Sequence, residues 1–493
     1  MSRINTNVSS LIAQRVLGQN NLSLNTSLER LSTGLKINRG KDDPAGLIAS
    51  QNLRAEKASV GQAIKNAERA DQVVNIAEGG LTEISGLLNE LQALITQTAN
   101  DAGLSPEEKK ANQLQIDSIL QTVDRVASAT SFQGLRLLNG NLDYVTDNVN
   151  ANVDAFKVNG AKLDLNDTRD VEIVVTGSAQ VAGFFLSFGG ATLNLGGALA
   201  TDGANSSFVL EVAGAKGSRE FTFSSGTSLT TVVKAINSFT DVTGAQAVAS
   251  GTGVNVKSVG FGSDQFVTVR VTNDGIINSA VAQAGLYSFE AANTNAALTT
   301  GQTLFSAANN KTTDKGLDVS ATINGIQATT TGTIARINTD FLDVEIDLKT
   351  GTTSGVEAQR LGAVNAFRIT GGGADFQLAP QVDITGKVSI GIGDFAVRNI
   401  GRARIVSGGT TSVNFLSDLS AGRALNVVTG DLSGAQEVVA EAIKDVTSLR
   451  GRLGAFQRNV IGSTIRSLGV SLENTTAAES YSDAFRNPFR SYW

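Results

Sequence analysis

The chain has 493 residues, 41% of them hydrophobic, and its 40 basic and 46 acidic side chains give a net charge of −6. This composition supports a sizeable core, and the chain lacks the excess of positive charge that is typical of nucleic-acid-binding proteins. The chain has no Cys and no His, which excludes thiolate or imidazole zinc sites and catalysis by Ser-His or Cys-His pairs. It shows no signal-peptide core and no run of about 18 apolar residues, so neither a cleavable signal nor a transmembrane helix is predicted.

The first predicted helix is weakly amphipathic and ends before Gly34. One face carries Ile4, Val8 and Leu11, and Leu17, Leu24, Leu28 and Leu31 share a face further on. The remaining positions are largely Ser, Asn and Gln. Such a helix is not expected to be stable alone.

The loop after this helix looks at first like a phosphate-binding loop, because Gly34 and Gly40-Lys41 lie in a basic stretch that opens a helix. The pattern GxxxxGK[ST] has a shorter spacer, however, and ends on Ser or Thr, whereas here five residues separate the glycines and Asp42 follows Lys41. A nucleotide site is therefore disfavoured. The loop is better explained as a hinge in which Gly34 ends one helix, Asp43 caps the next, Pro44 suits its first turn and Gly40 lies in the spacer.

The second predicted helix, from about Ala45 to Asn100, carries a regular heptad seam. The first position of the repeat is occupied by Leu53, Val60, Ala67, Val74, Leu81, Leu88 and Ile95, and Ala63, Ala70, Ala77, Ile84 and Leu91 follow most of them by three. This pattern is typical of a coiled coil, and the helix would span roughly 80 Å. Its length favours a bundle that also contacts other subunits over a solitary intramolecular core.

Further helices are predicted after Ser105 and near the C-terminus. Ser105, Pro106 and Glu108 form a capping box with a first-turn proline. Leu449, Leu453, Phe456 and Val460 continue a seam that then slips and resumes at Ile465. The matching seams at the two ends of the chain thus predict that their helices pack in one antiparallel bundle. Its subunit-packing seam is assigned to Leu53, Val60, Val74, Leu81, Leu88, Ile95, Leu449, Leu453 and Phe456.

The middle of the chain is rich in Gly, Thr, Ser and Val and predicts antiparallel strands, among them 171–175, 208–212, 266–271 and 342–348, with one helix at 229–239. The predicted fold is therefore α+β and multidomain, a long coiled-coil-like bundle with one or two inserted β-rich domains. The expected segments are 1–43 (first helix and spoke), 44–170 (helical core with a β-hairpin), 171–370 (outer β-rich part), 371–429 (return into the core), 430–480 (core helix) and 481–493 (an atypical tail).

Several motifs at the two ends, covering about 200 residues, resemble bacterial flagellin. They are Ile4-Asn-Thr-Asn-Val8, Leu28-Glu-Arg-Leu-Ser-Thr-Gly-Leu-Lys-Ile-Asn38, Lys41-Asp-Asp-Pro-Ala-Gly-Leu47, Phe132-Gln-Gly-Leu135, Leu137-Leu-Asn-Gly140, Leu449-Arg-Gly-Arg-Leu-Gly-Ala-Phe-Gln-Arg-Asn459 and Leu472-Glu-Asn-Thr-Thr-Ala-Ala-Glu-Ser480. Weaker similarity covers Gly371-Gly-Gly-Ala-Asp-Phe-Gln-Leu378 and the 321–325 region. The resemblance implies a self-assembling subunit of the extracellular flagellar filament that serves swimming motility. It also implies secretion by flagellar type III export, an inner tube of terminal helices and an outer tube of heptad helices.

The chain departs from the family pattern after Ser480, where the family would continue with another amphipathic helix. Here 13 residues follow, five of them aromatic. A frameshift, an altered chain or a natural divergence would each look like this. The expectation is that the chain polymerises poorly alone and binds the family's export chaperone weakly, because that chaperone grips the missing helix.

The resemblance also places a candidate site for the flagellin-sensing Toll-like receptor at Glu90, Leu94 and Gln115. Glu90 replaces a family arginine and Gln115 a family glutamate, so weak receptor recognition is expected.

Two alternatives remain: a hook-filament junction protein, which shares the terminal helices, and a secreted coiled-coil adhesin with a β-rich tip. Some flagellins carry a metallopeptidase in the variable domain, but its signature needs two His. No enzyme activity, cofactor, metal, nucleic acid or membrane insertion is predicted.

Overall fold

The computed structural model describes residues 7–100, 103–164, 167–195, 207–277, 284–288, 303–350, 359–407 and 410–483. The helices are α1 (Val8–Thr33), α2 (Pro44–Thr98), α3 (Pro106–Ala129), α4 (Leu229–Asn237), α5 (Thr240–Thr243), α6 (Leu432–Ala455) and α7 (Gly462–Asp483). A π-helix, Phe456–Ile461, joins α6 to α7, and short 3-10 helices cover Phe305–Ala307 and Leu416–Leu419. Among the described residues, no helix is long and apolar enough to cross a membrane.

The strands follow in chain order. They are β1 (Ser131–Phe132), β2 (Leu135–Arg136), β3 (Asn139–Leu142), β4 (Tyr144–Asp147), β5 (Val153–Ala161), β6 (Arg169–Gly177), β7 (Gly183–Ser187), β8 (Ser207–Gly214), β9 (Gly217–Ser224), β10 (Ala245–Ser250), β11 (Gly253–Ser258), β12 (Phe266–Asn273), β13 (Gly285–Ser288), β14 (Thr312–Lys315), β15 (Ser320–Ile323), β16 (Ile326–Gln327), β17 (Thr329–Thr331), β18 (Ile334–Asn338), β19 (Leu342–Leu348), β20 (Gly362–Gly372), β21 (Ala374–Gln377), β22 (Lys387–Ile390), β23 (Ile392–Asp394), β24 (Ala403–Ser407) and β25 (Thr410–Asn414).

The chain divides into two compact units, 1–143 with 374–493 and 144–373. The β-rich unit therefore starts at Tyr144, earlier than the position 171 expected from the sequence, and ends at Gly373 rather than 370. The reason is non-local pairing: β4 pairs with β20 and β5 pairs with β19, far along the chain. Local hydrophobic patterns do not show such partners, so the sequence assigned these strands to the helical core.

The helical unit is built around α2, which packs against α3, α6 and α7. The helix α2 is antiparallel to the α6–α7 arm: Arg54 pairs with Glu479, whereas Gln457 donates to Asp71 further along α2. The predicted capping box is confirmed, because the Ser105 side chain accepts from the Glu108 N–H and the Glu108 carboxylate accepts from the Ser105 N–H. These contacts bring the two ends of the sequence into one bundle.

The slip in the C-terminal seam has a structural cause. Phe456–Ile461 is a π-helix, in which the hydrogen bonds close over one more residue than in an α-helix. The extra residue rotates the apolar face, so the seam that the sequence carries to Val460, inside this π-helix, resumes with a shifted register in α7. The slip read from the sequence marks this bulge.

The β-rich unit has two cores. The first lies between the sheet β16-β15-β6-β20-β4 and the sheet β17-β18-β19-β5, and includes Ile173, Val344 and Phe367. The second is enclosed by the sheets β10-β11-β7-β13 and β14-β12-β8-β9 with α4, and includes Phe208 and Val269. All the recorded strand pairs are antiparallel, as the sequence predicted.

Candidate assembly surface

The helix α1 has well-formed caps at both ends, but none of its side chains is packed in a hydrophobic core. The Asn7 side chain accepts a hydrogen bond from the Ser10 N–H at 3.2 Å, and Gly34 ends the helix with φ 71 while its N–H donates to the Arg30 carbonyl. None of its 26 residues is buried. Helices owe most of their stability in proteins to packing of an apolar face, so α1 lacks what would normally stabilise it.

The apolar side chains of α1 form two stripes on opposite sides. Successive residues turn by about 100°, which groups Val8, Leu11, Ile12 and Leu22 on one side, the Val8 stripe. Leu17, Leu24, Leu28 and Leu31 lie on the other side, the Leu28 stripe. Each of these eight side chains is between 48% and 69% exposed. No single neighbouring helix could cover both stripes, so α1 requires partners on two sides.

The rest of α1 is nearly uncharged. Its ionisable residues are Arg15, Glu29 and Arg30, so a stretch of 13 residues between Arg15 and Glu29 carries no charge. A solvated helix face normally carries charged residues opposite its apolar stripe. Ser, Asn and Gln can be buried between protein surfaces at lower cost than charges, provided that they find hydrogen-bond partners. The polar positions therefore do not oppose packing against another chain.

The loop 34–43 is ordered by its own carboxylates. Asp42 accepts from the Asn38 N–H at 3.2 Å and the Arg39 N–H at 2.9 Å, and the bond from Arg39 holds the pKa of the Asp42 carboxyl below its ordinary value. Asp43 caps α2 by accepting from the Gly46 N–H at 2.9 Å, with Pro44 in the first turn, as predicted. Backbone donors that an anion would need are thus occupied by Asp42. This agrees with the interpretation of the loop as a connector.

The connector is also tied to α1. The Arg39 guanidinium pairs with Glu29 at 2.9 Å, and Ile37 is buried beside the first turn of α2, where a Cβ on Gly46 would lie 2.7 Å from its Cδ1. Gly40 has a negative φ and only ordinary contact with Leu47. Whether Gly34, Gly40, Asp43 and Pro44 act as a hinge stays a prediction.

The assignment of the heptad seam to subunit packing needs correction. Val60, Val74, Leu81, Leu88, Ile95, Leu449, Leu453 and Phe456 are each 8% exposed or less, and Leu53 is half-buried. The eight buried side chains pack inside the chain's own bundle, because α3 and the α6–α7 arm supply enough apolar surface to cover them. Contacts with another copy must use residues other than these eight, whereas for the half-buried Leu53 a role in subunit packing stays a prediction.

Near its start, α2 is packed by α7. Val60, Ala63 and Leu468 form a small separate cluster there, and Glu479 bridges Arg54 and Lys57 at 3.0 Å each. Ile48 is 64% exposed on the same part of α2. Unpartnered apolar surface therefore extends from α1 to the first turns of α2.

The candidate receptor residues are only partly at the surface. Glu90 and Gln115 are exposed, and the Gln115 side-chain amide donates to the Glu90 carboxylate at 3.1 Å. Leu94 is 6% exposed and lies in the bundle core, so its assignment to a receptor-facing surface is wrong. The seam itself predicts this, because Leu94 adjoins Leu91 and Ile95 on the buried face. The exposed leucine of this region is Leu114, 70% exposed, which sequence reasoning missed although it lies off the α3 seam.

A second exposed apolar point lies between β21 and β22. Val382 is 91% exposed at the tip of a loop that Asp383 closes by accepting from the Gly386 N–H at 2.6 Å. Gln377 braces the other side by donating to the Gln381 carbonyl at 2.5 Å. No periodic pattern marks Val382 in the sequence.

Comparison with known proteins agrees with the terminal motifs. The family described as bacterial flagellin N-terminal helical region matches residues 4–143. Flagellin B of Helicobacter pylori is 27% identical over 519 aligned residues, which cover 97% of this chain and 91% of that protein. Flagellin E of Vibrio cholerae is 36% identical over 179 residues, 36% of this chain and 46% of that protein. The solved structure of FliC from Burkholderia pseudomallei is 17% identical, covers 79% of this chain and 99% of its own, and has a TM-score of 0.24.

Proposed function

The chain belongs to the bacterial flagellins and is a structural subunit of the flagellar filament, and we propose that copies of it contact one another through α1. The observation that carries this proposal is the helix itself: 26 residues with intact caps, two opposite apolar stripes and no buried side chain. Contacts between helices of neighbouring copies would bury both stripes at once. The filament is extracellular, and we infer that the subunit is secreted.

Apolar burial is large enough to drive such assembly. A leucine side chain moved from water to a packed interior contributes about 1.5–3 kcal/mol. Eight half-exposed apolar side chains on α1 therefore offer a contribution large enough to offset the cost of association. The chain's own core gains nothing from them, since the bundle is complete without α1.

The test uses the double variant Leu11→Gln/Leu22→Gln, which removes apolar surface from the Val8 stripe and keeps helix propensity. The chain is expected to polymerise poorly alone, so filament seeds are supplied. We expect the wild-type chain to extend these seeds, measured by electron microscopy and light scattering, and the variant to remain monomeric. Leu114→Gln, which changes an equally exposed leucine on α3, is the matched control and should assemble normally. Normal filaments from the double variant would overturn the role of α1.

For the receptor, we propose weak activation. Leu94 is buried and Glu90 presents a carboxylate, so the surface offers neither the apolar contact nor the positive charge that the family resemblance implies. A reporter assay against a strongly activating flagellin would measure this, and equal potency would contradict it.

The predicted weak binding of the export chaperone concerns residues 481–493, and 484–493 lie outside the described residues. It therefore stays a prediction. No observation on the described residues favours a junction protein or an adhesin over a filament subunit.

A further inference from the structure

We propose that the two cores of the β-rich unit are locked into one rigid body, and that the Asp318 side chain is the lock. Without it, the second core would turn relative to the first about the chain segments that connect them. Both cores lie within residues 144–373, so this lock acts in the single subunit and goes beyond filament assembly. Its parts are two paired connections, a loop that crosses from one core to the other, and the hydrogen bonds that Asp318 accepts.

The chain passes between the two cores along two short connections that lie side by side. The first connection, 178–182, leads from β6 to β7, and the second connection, 316–319, leads back from β14 to β15. The Gln180 N–H donates to the Leu317 carbonyl at 2.8 Å, and the Leu317 N–H donates to the Gln180 carbonyl at 3.0 Å. Two paired segments of this length define one axis and leave rotation about it free, as in a hinge formed by a few residues.

A third contact is made by the 259–265 loop, which joins β11 to β12 of the second core. Phe261 of this loop packs against the first core. The loop is also bonded to the first connection, since the Gly262 N–H donates to the Gln180 carbonyl at 3.3 Å. Two cores joined only by short connections are expected to move relative to each other. A third point of contact beside the connections opposes that motion.

Asp318, in the second connection, ties this loop to the first core. Its Oδ1 accepts from the Ser263 N–H at 3.0 Å and from the Gly332 N–H at 2.7 Å, and its Oδ2 accepts from the Ser263 hydroxyl at 2.6 Å. Ser263 belongs to the loop, and Gly332 belongs to the turn between β17 and β18 of the first core. Burial alone would raise the pKa of the Asp318 carboxyl, but these bonds hold it below its ordinary value. The group is therefore ionised at neutral pH, and an ionised acceptor forms stronger hydrogen bonds than a neutral one.

The backbones at this contact approach too closely for side chains. Gly262 has φ 109, and a Cβ there would lie 2.6 Å from Asp318 Oδ1 and 2.8 Å from the Gly332 backbone nitrogen. A Cβ on Gly316 would lie 2.5 Å from the Gly262 carbonyl oxygen. Glycine is therefore required where the loop, the second connection and the first core meet. Packing this close leaves no room for one core to turn while the bonds to Asp318 are intact.

The chain has no Cys, so a pair of introduced cysteines can carry spin labels at chosen positions. Thr222→Cys and Asn365→Cys place one label on β9 of the second core and one on β20 of the first, both at exposed positions. Pulsed electron spin resonance measures the distance between the labels in the full-length monomer, diluted with unlabelled protein so that pairs of copies do not contribute. We expect a single narrow distance distribution, because a rigid body has one separation.

The test variants are Asp318→Ala, which removes all three bonds, and Gly262→Ala, which forces the loop away from Asp318. Each should widen the distance distribution about twofold or more, since the second core is then free to move on its connections. Asp318→Asn should keep the narrow distribution, because its amide oxygen can accept from both N–H groups and its amide nitrogen can donate to the Ser263 hydroxyl. The matched control is Gly260→Ala in the same loop. Its Cβ would meet only the flexible Gln265 side chain, at 3.2 Å, and should leave the distribution unchanged.

Amide hydrogen exchange of β12 and β19 shows whether each core stays folded, and both strands should keep wild-type protection in every variant. A broad distribution in the wild type, an unchanged distribution in either test variant, or equal broadening in Gly260→Ala would overturn the lock. Broadening together with lost protection in one core would also overturn it, because Asp318 would then stabilise that core rather than the contact between the two. None of these readouts depends on α1 or on filaments, so the lock and the role of α1 in assembly can fail separately.

Discussion

The helices α1 and α2 are consecutive, both are capped, and their packing differs completely. The helix α2 buries 15 of its 55 residues, whereas α1 buries none of its 26. The difference lies in how the apolar residues are arranged. In α2 they form one continuous seam, which one set of neighbours can cover, and in α1 they form two opposite stripes.

This contrast separates folding from assembly within one chain. A single seam can be satisfied inside the chain, and the bundle of α2, α3, α6 and α7 does so. Two opposite stripes on a connector-linked helix cannot be covered by one neighbour, so we propose that part of the burial is deferred to contacts between copies. The same residue type, leucine, therefore stabilises the fold in one helix and is available for association in the other.

The prediction with the largest expected effect compares one leucine substitution in α2 with one in α1, and so tests whether only the leucines of α2 stabilise the fold. Leu81→Ala removes a fully buried side chain from the seam and should lower the free energy of unfolding of the helical unit by about 2–5 kcal/mol. Leu22→Ala in α1, where the leucine is 69% exposed, should change it by less than about 0.5 kcal/mol. Denaturant titration followed by the helical circular dichroism signal measures both. A similar loss in the two variants would show that α1 is packed in the free subunit.

A smaller change in stability is expected when either of two neighbouring glycines of α2 is replaced by alanine, because the two glycines lie on different faces of the helix. A Cβ on Gly80 would lie 2.6 Å from Thr130 Oγ1 and 3.0 Å from its Cγ2, so rotation of the threonine cannot relieve both contacts, and Leu138 Cδ1 is 2.9 Å away. Gly80→Ala should therefore lower the free energy of unfolding of the helical unit by about 1–3 kcal/mol. Gly79 has nothing within 4 Å of its Cβ position, so Gly79→Ala should stabilise by about 0.5–1 kcal/mol through helix propensity.

Thermal unfolding of the two glycine variants, prepared in parallel, provides the measurement. Opposite signs are expected for adjacent positions in one helix. If both variants were stabilised, the 130–138 segment would not be held against α2 as closely as the structure has it.

Much of this arrangement was predictable from the sequence. The seam of α2, the capping box at Ser105, the helix stop at Gly34 and the slip after Val460 are local patterns, and the structure shows each of them. The start of the β-rich unit was not predictable, because β4 and β5 pair with strands about 200 residues away, as with Ile369 and Thr146. The burial of Leu94 follows from the seam, but the family resemblance assigned it to the surface.

The smallest expected effect is a local loss of stability at the start of α2, where the Glu479 carboxylate of α7 pairs with Arg54 and Lys57. The ammonium of Lys57, with the Arg54 guanidinium, holds the pKa of the Glu479 carboxyl below its ordinary value. A group with a lowered folded-state pKa stabilises fully above its unfolded pKa, roughly 4.3 for glutamate, and loses that contribution as pH falls through the folded value. We therefore expect the last turns of α7 to open at acid pH while the central bundle persists.

Amide hydrogen exchange of residues 475–483, corrected for intrinsic rates, measures this opening. Wild-type protection should be constant from about pH 7 to pH 5 and fall below about pH 4. Glu479→Gln should show the reduced protection already at neutral pH, because the neutral amide cannot pair with either cation. Glu473→Gln, at an exposed position on the same helix, should follow the wild type. If Glu479→Gln kept full protection at neutral pH, apolar contacts such as Val60 with Leu468 would be enough to hold this end of α2, and its packing would resemble that of the central seam rather than that of α1.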